Sequence, residues 1–147
     1  MHDQDGNLLL SAASEWVVMD AKARSFVSVA DIYEGPNDFS EDRAFEGRIR
    51  KLKPIPAEAA CARTIAPGYS DVDVNAHVNN ARYATYAVDA LDEATGRAIK
   101  TFQADFRHEV RKDETVHVFT QQSEEGACVE VRKETGDIAC SIKVDYA

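Results

Sequence analysis

Basic residues are scarce in this sequence of 147 residues, in which 17 Lys and Arg stand against 26 Asp and Glu, for a formal net charge of -9. Phosphate binding depends on clustered Lys and Arg, so this balance argues against extended contact with nucleic acid or with an anionic membrane. An acidic partner would therefore have to meet a local basic patch.

Paired cysteines and long apolar runs are also lacking. Cys61, Cys128 and Cys140 form neither a Cys-x-x-Cys pair nor an even set, which favours reduced thiols in a cytosolic compartment. No stretch approaches the length of a transmembrane helix, and the first residues, MHDQDGNLLL, lack the basic segment and long apolar run of a secretion signal. We therefore expect a soluble, cytoplasmic protein without membrane contact.

The pattern along the chain changes near residue 60. Before it, the apolar runs LLLSAASEWVVM and FVSVADIY flank the polar segment DAKAR, which predicts two strands joined by a turn. Residues 34–60 then carry Pro, Gly and charge in place of apolar periodicity, which predicts a linker. We expect a hairpin and linker over 1–60 and the principal domain over 61–147, since the chain is too short for two complete ordinary domains.

The second part begins with a strand-like TIAPGYSDVDV and continues into a helix from about Asn80 to Leu91, capped by Asn79 or Asn80. The helix's apolar face is predicted to consist of Ala84, Ala87, Val88 and Leu91. Gly96 ends the helical region, and four strands are predicted in IKTFQADFRHEV, TVHVFTQQ, ACVEVRKE and DIACSIKVDY. This order is compatible with an α+β domain in which an antiparallel sheet wraps a central helix.

Polar chemistry is concentrated in SDVDVNAHVNN, residues 70–80, before the predicted helix. A carboxylate can attack a carbonyl group or deprotonate water, and a histidine can transfer protons near neutral pH. The N–H groups at the helix start could stabilise an oxyanion. The alternative is an Asx-rich turn that only caps the helix.

The segment Asp71-Val-Asp73-Val-Asn75-Ala-His77-Val-Asn79-Asn80, followed by ARYATY, resembles the bacterial and plant acyl-acyl-carrier-protein thioesterases, which are built from tandem hot-dog domains. The resemblance implies a hot-dog fold. It also implies that catalysis is carried by an Asp-x-Asn-x-His motif and by a Glu in the segment DFRHEVRKD. Residue by residue, these positions are Asp73, Asn75, His77 and Glu109.

The resemblance implies hydrolysis of a fatty acyl thioester carried on the phosphopantetheine arm of acyl carrier protein, without a cofactor or metal. Asp73, oriented by Asn75, would attack the carbonyl or activate water, His77 would move the proton, and Glu109 would position the attacking group. Strand alternation taken alone places Glu109 on a solvated face. Many family members have a cysteine after this Glu, but the present chain has Val110, so a cysteine nucleophile is not expected.

Further expectations concern the first 60 residues and the partners. The segment SEWVVMDAKARSFVSV resembles a hairpin that closes a first hot-dog domain, so an incomplete first domain and weak or no turnover of this chain alone are expected. The basic run Arg48, Arg50, Lys51 and Lys53 could steer a carrier protein, or could be a solvated linker.

Two other functions remain open. Acyl-CoA thioesterases with a single hot-dog domain share a pattern, Asp-x-Asp-x-x-x-His-Val-Asn-Asn, that also fits residues 71–80. A noncatalytic hot-dog module that binds acyl ligands or a partner is the alternative from another class. A homodimer or a partner hot-dog domain is expected in each case.

Overall fold

The computed structural model describes residues 1–36, 43–91 and 96–147. The chain divides into two compact units, Met1–Arg50 and Lys51–Ala147. Residues 34–36 and 43–59 of the predicted linker contain no helix or strand, its last residue, Ala60, begins a strand, and residues 37–42 lie outside the described residues. The predicted domain boundary after residue 60 stays a prediction. No helix in the described ranges is long and apolar enough to cross a membrane.

The first unit contains the predicted hairpin, formed by β1 (Val18–Asp20) and β2 (Ser25–Val27), which pair antiparallel. The Asp20 carboxylate accepts hydrogen bonds from the N–H groups of Lys22 and Ala23, at 2.8 and 2.7 Å, and so organises the turn. The strands are shorter than predicted, and the chain after β2 forms a 3₁₀ turn at Val29–Asp31.

Within the described residues, the second unit is a five-stranded antiparallel sheet with one α-helix packed on it. The strands are β3 (Ala60–Ile65), β4 (Ile99–Phe106), β5 (Val116–Gln122), β6 (Gly126–Lys133) and β7 (Ile138–Tyr146), in the order β3-β5-β6-β7-β4. Helix α1 (Asn80–Ala90) contacts β5, β6 and β7. The four predicted C-terminal strands and the α+β hot-dog fold are confirmed.

The core lies between α1 and the sheet, where strand residues of period two meet the helix. Its fully buried strand residues include Val116, Val118, Val129, Val131 and Val144. Gly126 allows β6 to lie close to β7 at their ends. A Cβ atom added there would lie 2.2 Å from the carbonyl oxygen of Val144, so a larger residue would force the strands apart.

The buried face of α1 differs from the predicted one. Ala87 and Leu91 are buried as expected, but Val88 is 45% exposed, and two tyrosines, Tyr83 and Tyr86, are buried instead. A tyrosine ring has a large apolar body that packs in a core although its hydroxyl is polar. The prediction used aliphatic residues alone, so the predicted apolar face is rotated about the helix axis relative to the face that is buried.

Two predicted strands also end earlier than expected. TIAPGYSDVDV leaves the sheet at Ile65, because Pro67 has no N–H to donate, and then forms a 3₁₀ turn at Tyr69–Asp71. β4 ends at Phe106, after which the N–H groups of Arg107 and His108 both point to the carbonyl oxygen of Ala139, at 2.8 and 3.3 Å. Sharing one acceptor breaks the regular ladder, so residues 107–110 are not part of the strand.

Candidate active site

The motif segment between β3 and α1 is a tight loop closed at its base. Val72 and Val78 pair as an antiparallel bridge, and the Asp73 N–H donates to the carbonyl oxygen of His77 at 2.9 Å. Ala76 has a φ of 61°, a left-handed conformation that reverses the chain at the tip. Asp73 and His77 are therefore held opposite each other at the base of the loop.

The Asp73 carboxylate is bound from within the loop. Its Oδ1 accepts the N–H of Asn75 at 2.8 Å and that of His77 at 3.4 Å, an Asx-turn arrangement. Asp73 is half-buried, whereas Asn75 is exposed at the loop tip. Asn75 thus contacts Asp73 through its backbone N–H. The sequence predicted that Asn75 orients Asp73 but did not say which of its groups makes the contact.

Asp71, the other carboxylate of the motif, fastens the loop to the helix. Its Oδ1 accepts hydrogen bonds from Arg82 at 2.7 Å, and its Oδ2 accepts the Gly68 N–H at 2.8 Å. Burial acts to raise the pKa of Asp71, but the Gly68 N–H and the Arg82 guanidinium outweigh it, so the pKa lies below its usual value. The pair fixes the start of the loop against α1.

The helix begins where the loop ends, as predicted. The Asn79 side chain caps α1 by accepting the N–H of Ala81 at 2.9 Å, and the Asn79 N–H donates to the carbonyl oxygen of Asp71 at 2.8 Å. Asn80, the first helical residue, lies at the cleft described below. The positive end of the helix dipole is therefore directed at the polar residues of the loop.

Glu109 reaches the motif from the loop between β4 and β5. The Val78 N–H donates to the carbonyl oxygen of Val110 at 2.7 Å, and His77 pairs with Arg111 as a backbone bridge. These contacts place Glu109 Oε2 at 3.3 Å from His77 Nε2. Glu109 is 45% exposed at its side chain, yet its carboxylate faces an imidazole rather than solvent alone.

A cleft of about 250 Å³ opens beside this pair. It is lined by Asp73, His77, Val78, Asn80, Tyr83, Phe106, Arg107, His108, Glu109 and Ala139. Of the four residues predicted to be catalytic, the structure brings Asp73, His77 and Glu109 to the cleft, while Asn75 does not line it.

Two of the lining residues were not predicted from the sequence. His108 was not among the predicted site residues, and Tyr83 was not among the residues predicted for the apolar face of the helix. The signal for Tyr83 was its position three residues after Asn80, which puts both on the same side of the helix. His108 had no such signal. In a continuous strand, His108 and Glu109 would point to opposite faces of the sheet, but β4 ends at Phe106 and this rule does not apply to them.

The cleft has an apolar inner wall. Tyr83, only 3% exposed, packs edge to face against Phe106 with ring centroids 5.8 Å apart. Burial raises the pKa of Tyr83, so its hydroxyl stays protonated at neutral pH. Polar groups thus meet an apolar surface in one cleft, as a substrate with a polar carbonyl and an apolar chain requires.

Among the described residues, no cysteine thiol is available as a nucleophile in the cleft. Val110, at the position where relatives were expected to have a cysteine, is fully buried in the core. Burial also raises the pKa of the Cys140 thiol to about 12, so it carries no thiolate at neutral pH. Within the described residues, no cysteine lines the cleft and no three His, Cys, Asp or Glu side chains are grouped to hold a metal ion.

Comparison with known proteins gives the same family that the motif indicated. The model of the acyl-ACP thioesterase C-terminal domain matches residues 56–147. The chloroplastic palmitoyl-acyl carrier protein thioesterase of Arabidopsis thaliana is 25% identical over 142 residues, which cover 92% of this chain and 34% of that protein. The chain therefore spans about a third of the length of this curated relative.

Two solved structures share the fold. The 12:0-ACP thioesterase of Umbellularia californica superposes with a TM-score of 0.69 at 20% identity, covering 88% of this chain and 51% of the other. An acyl-ACP thioesterase from Bacteroides thetaiotaomicron gives a TM-score of 0.62 at 22% identity, covering 88% and 53%. With the family model matched across the whole hot-dog domain, the chain belongs to the acyl-ACP thioesterase C-terminal domain family.

Proposed function

We propose that this chain is the catalytic part of an enzyme that hydrolyses acyl thioesters of acyl carrier protein. The observation that carries the proposal is the convergence of two carboxylates and an imidazole, from Asp73, Glu109 and His77, on one cleft beside a helix N-terminus. Family membership supplies the substrate class, and the apolar wall at Tyr83 and Phe106 supports an acyl substrate.

In the proposed reaction, His77 and Glu109 handle the proton. When His77 Nε2 carries its proton toward Glu109, the other ring nitrogen has a lone pair that can accept a proton from water. Glu109 then stabilises the imidazolium that forms, as the carboxylate partner of a histidine base does in other hydrolases. The proton later passes to the thiolate that leaves as the C–S bond breaks.

Asp73 is the second carboxylate at the carbonyl. Both of its hydrogen bonds from the loop fall on Oδ1, and Oδ2 accepts none from the described residues. Asp73 can direct the attacking water through this oxygen, or attack the carbonyl itself and form an acyl anhydride that water then cleaves. Asn75 holds Asp73 through its backbone N–H.

The start of α1 is the proposed oxyanion site. As the attacking oxygen bonds to the carbonyl carbon, negative charge forms on the carbonyl oxygen. Fixed N–H donors at a helix N-terminus stabilise this charge without reorganisation. Asn80 is the helical residue at the cleft that occupies this position.

Acyl carrier protein is the proposed partner. Lys51 and Lys53 are exposed, and Leu52 between them accepts a hydrogen bond from the guanidinium of Arg107, a residue of the cleft, at 2.7 Å. Positive charge thus lies next to the cleft in an acidic chain, where it can steer an acidic carrier. The unpaired thiols favour a cytoplasmic location, which stays part of the proposal.

A second hot-dog domain, in another copy of the chain or in a partner, is proposed to cover the edge of the sheet at β4. Among the described residues, this strand pairs with β7 on one side only, and its Phe102 and Phe106 are 42% and 49% exposed. An edge strand with exposed apolar side chains is suited to pairing with another sheet.

The function is tested by thiol release from a matched pair of substrates that carry the same acyl chain on acyl carrier protein and on CoA. We expect the full-length protein to prefer the carrier-bound substrate, with a turnover of roughly 1 to 1000 per second at saturation. A preference for CoA would favour the single-domain acyl-CoA thioesterase function. Binding of both acyl ligands without thiol release would replace the proposal by a noncatalytic acyl-binding module.

A further inference from the structure

We propose that Lys133 is a positioning residue that holds the Glu109 loop in its catalytic place. The inference rests on the proposed function, because it assigns to Lys133 the task of keeping Glu109 beside His77. Lys133 does not line the cleft itself and therefore acts through the loop.

The base of Lys133 is fixed at the end of β6. Lys133 is paired with Val116 of β5, and its N–H donates to the carbonyl oxygen of Asp137 at 2.9 Å. Its own carbonyl oxygen accepts the N–H of Gly136 at 2.9 Å, and Gly136 closes the turn to β7 with a φ of +88°. A side chain that starts from so constrained a backbone loses less freedom when it makes further contacts.

The ammonium group of Lys133 bridges two points of the loop. Its Nζ donates to the carbonyl oxygen of Glu109 at 3.1 Å and lies 3.0 Å from Oε2 of Glu114. The same Oε2 accepts the N–H of Arg111 at 2.8 Å, and the Glu114 N–H donates to the carbonyl oxygen of Arg111 at 3.2 Å. One cation therefore joins both sides of the turn that presents Glu109.

The ion pair between Lys133 and Glu114 is maintained at neutral pH and is partly shielded from water. The N–H of Arg111 and the ammonium of Lys133 lower the pKa of Glu114, which keeps its carboxylate charged at neutral pH. The Lys133 side chain is 20% exposed, so its stem packs on the protein and the charged contact is partly shielded from water.

Losing Lys133 would loosen the segment at Glu109 itself. Backbone bonds hold the chain before it, from His108 to Ala139, and after it, from Val78 to Val110, whereas Lys133 binds the carbonyl oxygen of Glu109. A small displacement of a catalytic group lowers turnover steeply, because the reacting atoms must be held within a narrow range of geometry.

The inference is tested by substituting Lys133→Met and Lys133→Arg in the full-length protein. We expect K133M to lower kcat about 10- to 100-fold with little change in KM, because the substrate does not contact Lys133. K133R should restore most of the lost kcat, since it can bridge the same acceptors. In the Glu109→Gln background K133M should cause almost no further loss, because its effect passes through Glu109.

Lys143→Met is the matched control. Lys143 forms an ion pair with Asp145 on the same sheet, at 2.8 Å, but touches neither the loop nor the cleft. K143M should leave kcat unchanged. Hydrogen exchange gives a readout independent of turnover, since the Arg111 amide should exchange faster in K133M than in K143M or the unaltered protein.

Failure of the inference and failure of the proposed function have different signatures. Unchanged kcat in K133M together with unchanged exchange at Arg111 would overturn the inference even if E109Q is inactive. Additive losses in E109Q and K133M would also overturn it, because the two residues would then act separately. Absence of hydrolysis by the unaltered protein would overturn the proposed function, while exchange would still decide whether Lys133 holds the loop.

Discussion

Glu109 Oε2 lies 3.3 Å from His77 Nε2, although His77 comes from the loop between β3 and α1 and Glu109 from the loop between β4 and β5. The contact depends on the backbone pairing of His77 with Arg111, which lies two residues after Glu109. The spacing between the carboxylate and the imidazole is therefore set by main-chain geometry, and substitutions at either side chain should test the chemistry without dismantling the loops.

Glu109→Gln and His77→Ala should each lower kcat for a carrier-bound thioester by about 100- to 10000-fold, the usual contribution of a proton-transferring histidine and the carboxylate that stabilises it. Gln retains the shape of Glu but cannot carry the negative charge that stabilises an imidazolium. Steady-state thiol release measures the effect. Glu134→Gln, at an exposed acidic residue outside the cleft, is the control and should leave kcat unchanged. Full activity of E109Q would contradict the proposed catalytic role of Glu109.

Isotopically labelled water tests an anhydride route in which water attacks the Asp73 carbon of the anhydride. A single turnover in H₂¹⁸O should place ¹⁸O in the fatty acid and none in Asp73. Two backbone N–H groups stabilise the charge of the Asp73 carboxylate, which disfavours its direct attack on the carbonyl. Mass spectrometry of the peptide containing Asp73 provides the measurement, and label found there would establish the anhydride route instead.

The sequence predicted those parts of the fold that depend on local signals. Asn79 caps the helix as expected, because an Asn before an amphipathic segment is a local signal. The four C-terminal strands were recognisable from their alternation and their turns. Val88 was wrongly placed on the buried face, because the helix buries Tyr83 and Tyr86 instead, whose polar hydroxyls remove them from an aliphatic pattern.

The meeting of His77 with Glu109 could not be derived from residue spacing. Alternation along β4 placed Glu109 on a solvated face, but that rule stops applying where the N–H groups of Arg107 and His108 share one acceptor. Resemblance to a family supplied Glu109, while the contribution of Lys133, from a distant strand, was visible only in three dimensions.

Asp71→Asn should lower the free energy of unfolding at pH 7 by about 2 kcal/mol, the scale of hydrogen bonds to a partly buried charged group. The folded state lowers the pKa of Asp71, so the charged form contributes stability above the ordinary Asp pKa of about 3.9 and loses it as the pH falls through the lower folded value. Urea unfolding at pH 7 and at pH 3 measures this, and the difference from the unaltered protein should shrink at pH 3.

The control for Asp71 is Asp113→Asn. Asp113 forms an ion pair with Lys112 at 2.7 Å, but its side chain is 75% exposed. An exposed pair contributes little, so this substitution should change stability by less than about 1 kcal/mol. If the two variants lost the same free energy of unfolding at pH 7, the contact of Asp71 with Arg82 would contribute no more stability than an exposed ion pair.

Phe102→Lys should weaken the proposed association at the edge of the sheet. In the associated state the new ammonium group would be buried against an apolar partner, whereas in the dissociated state it stays in water. Sedimentation velocity should show a shift toward the smaller species. Phe45→Lys, at a phenylalanine of similar exposure (46%) in the first unit, is the matched control. Identical sedimentation of F102K and the unaltered protein would argue against a partner on β4.

Charge reversal beside the cleft should separate carrier recognition from catalysis. The double variant Lys51→Glu and Lys53→Glu should raise KM for acyl carrier protein substrates several-fold, most at low salt, because steering depends on unscreened charge. KM for the matching acyl-CoA and kcat for both should change little, since Arg107 keeps its backbone contact with Leu52.

Lys22→Glu with Lys143→Glu gives the same change in net charge at exposed positions outside the cleft. The total charge of the protein also influences association, so only a difference between the two double variants identifies a local docking site. An equal rise in KM for both would attribute the effect to net charge and would remove Lys51 and Lys53 from the proposed carrier surface.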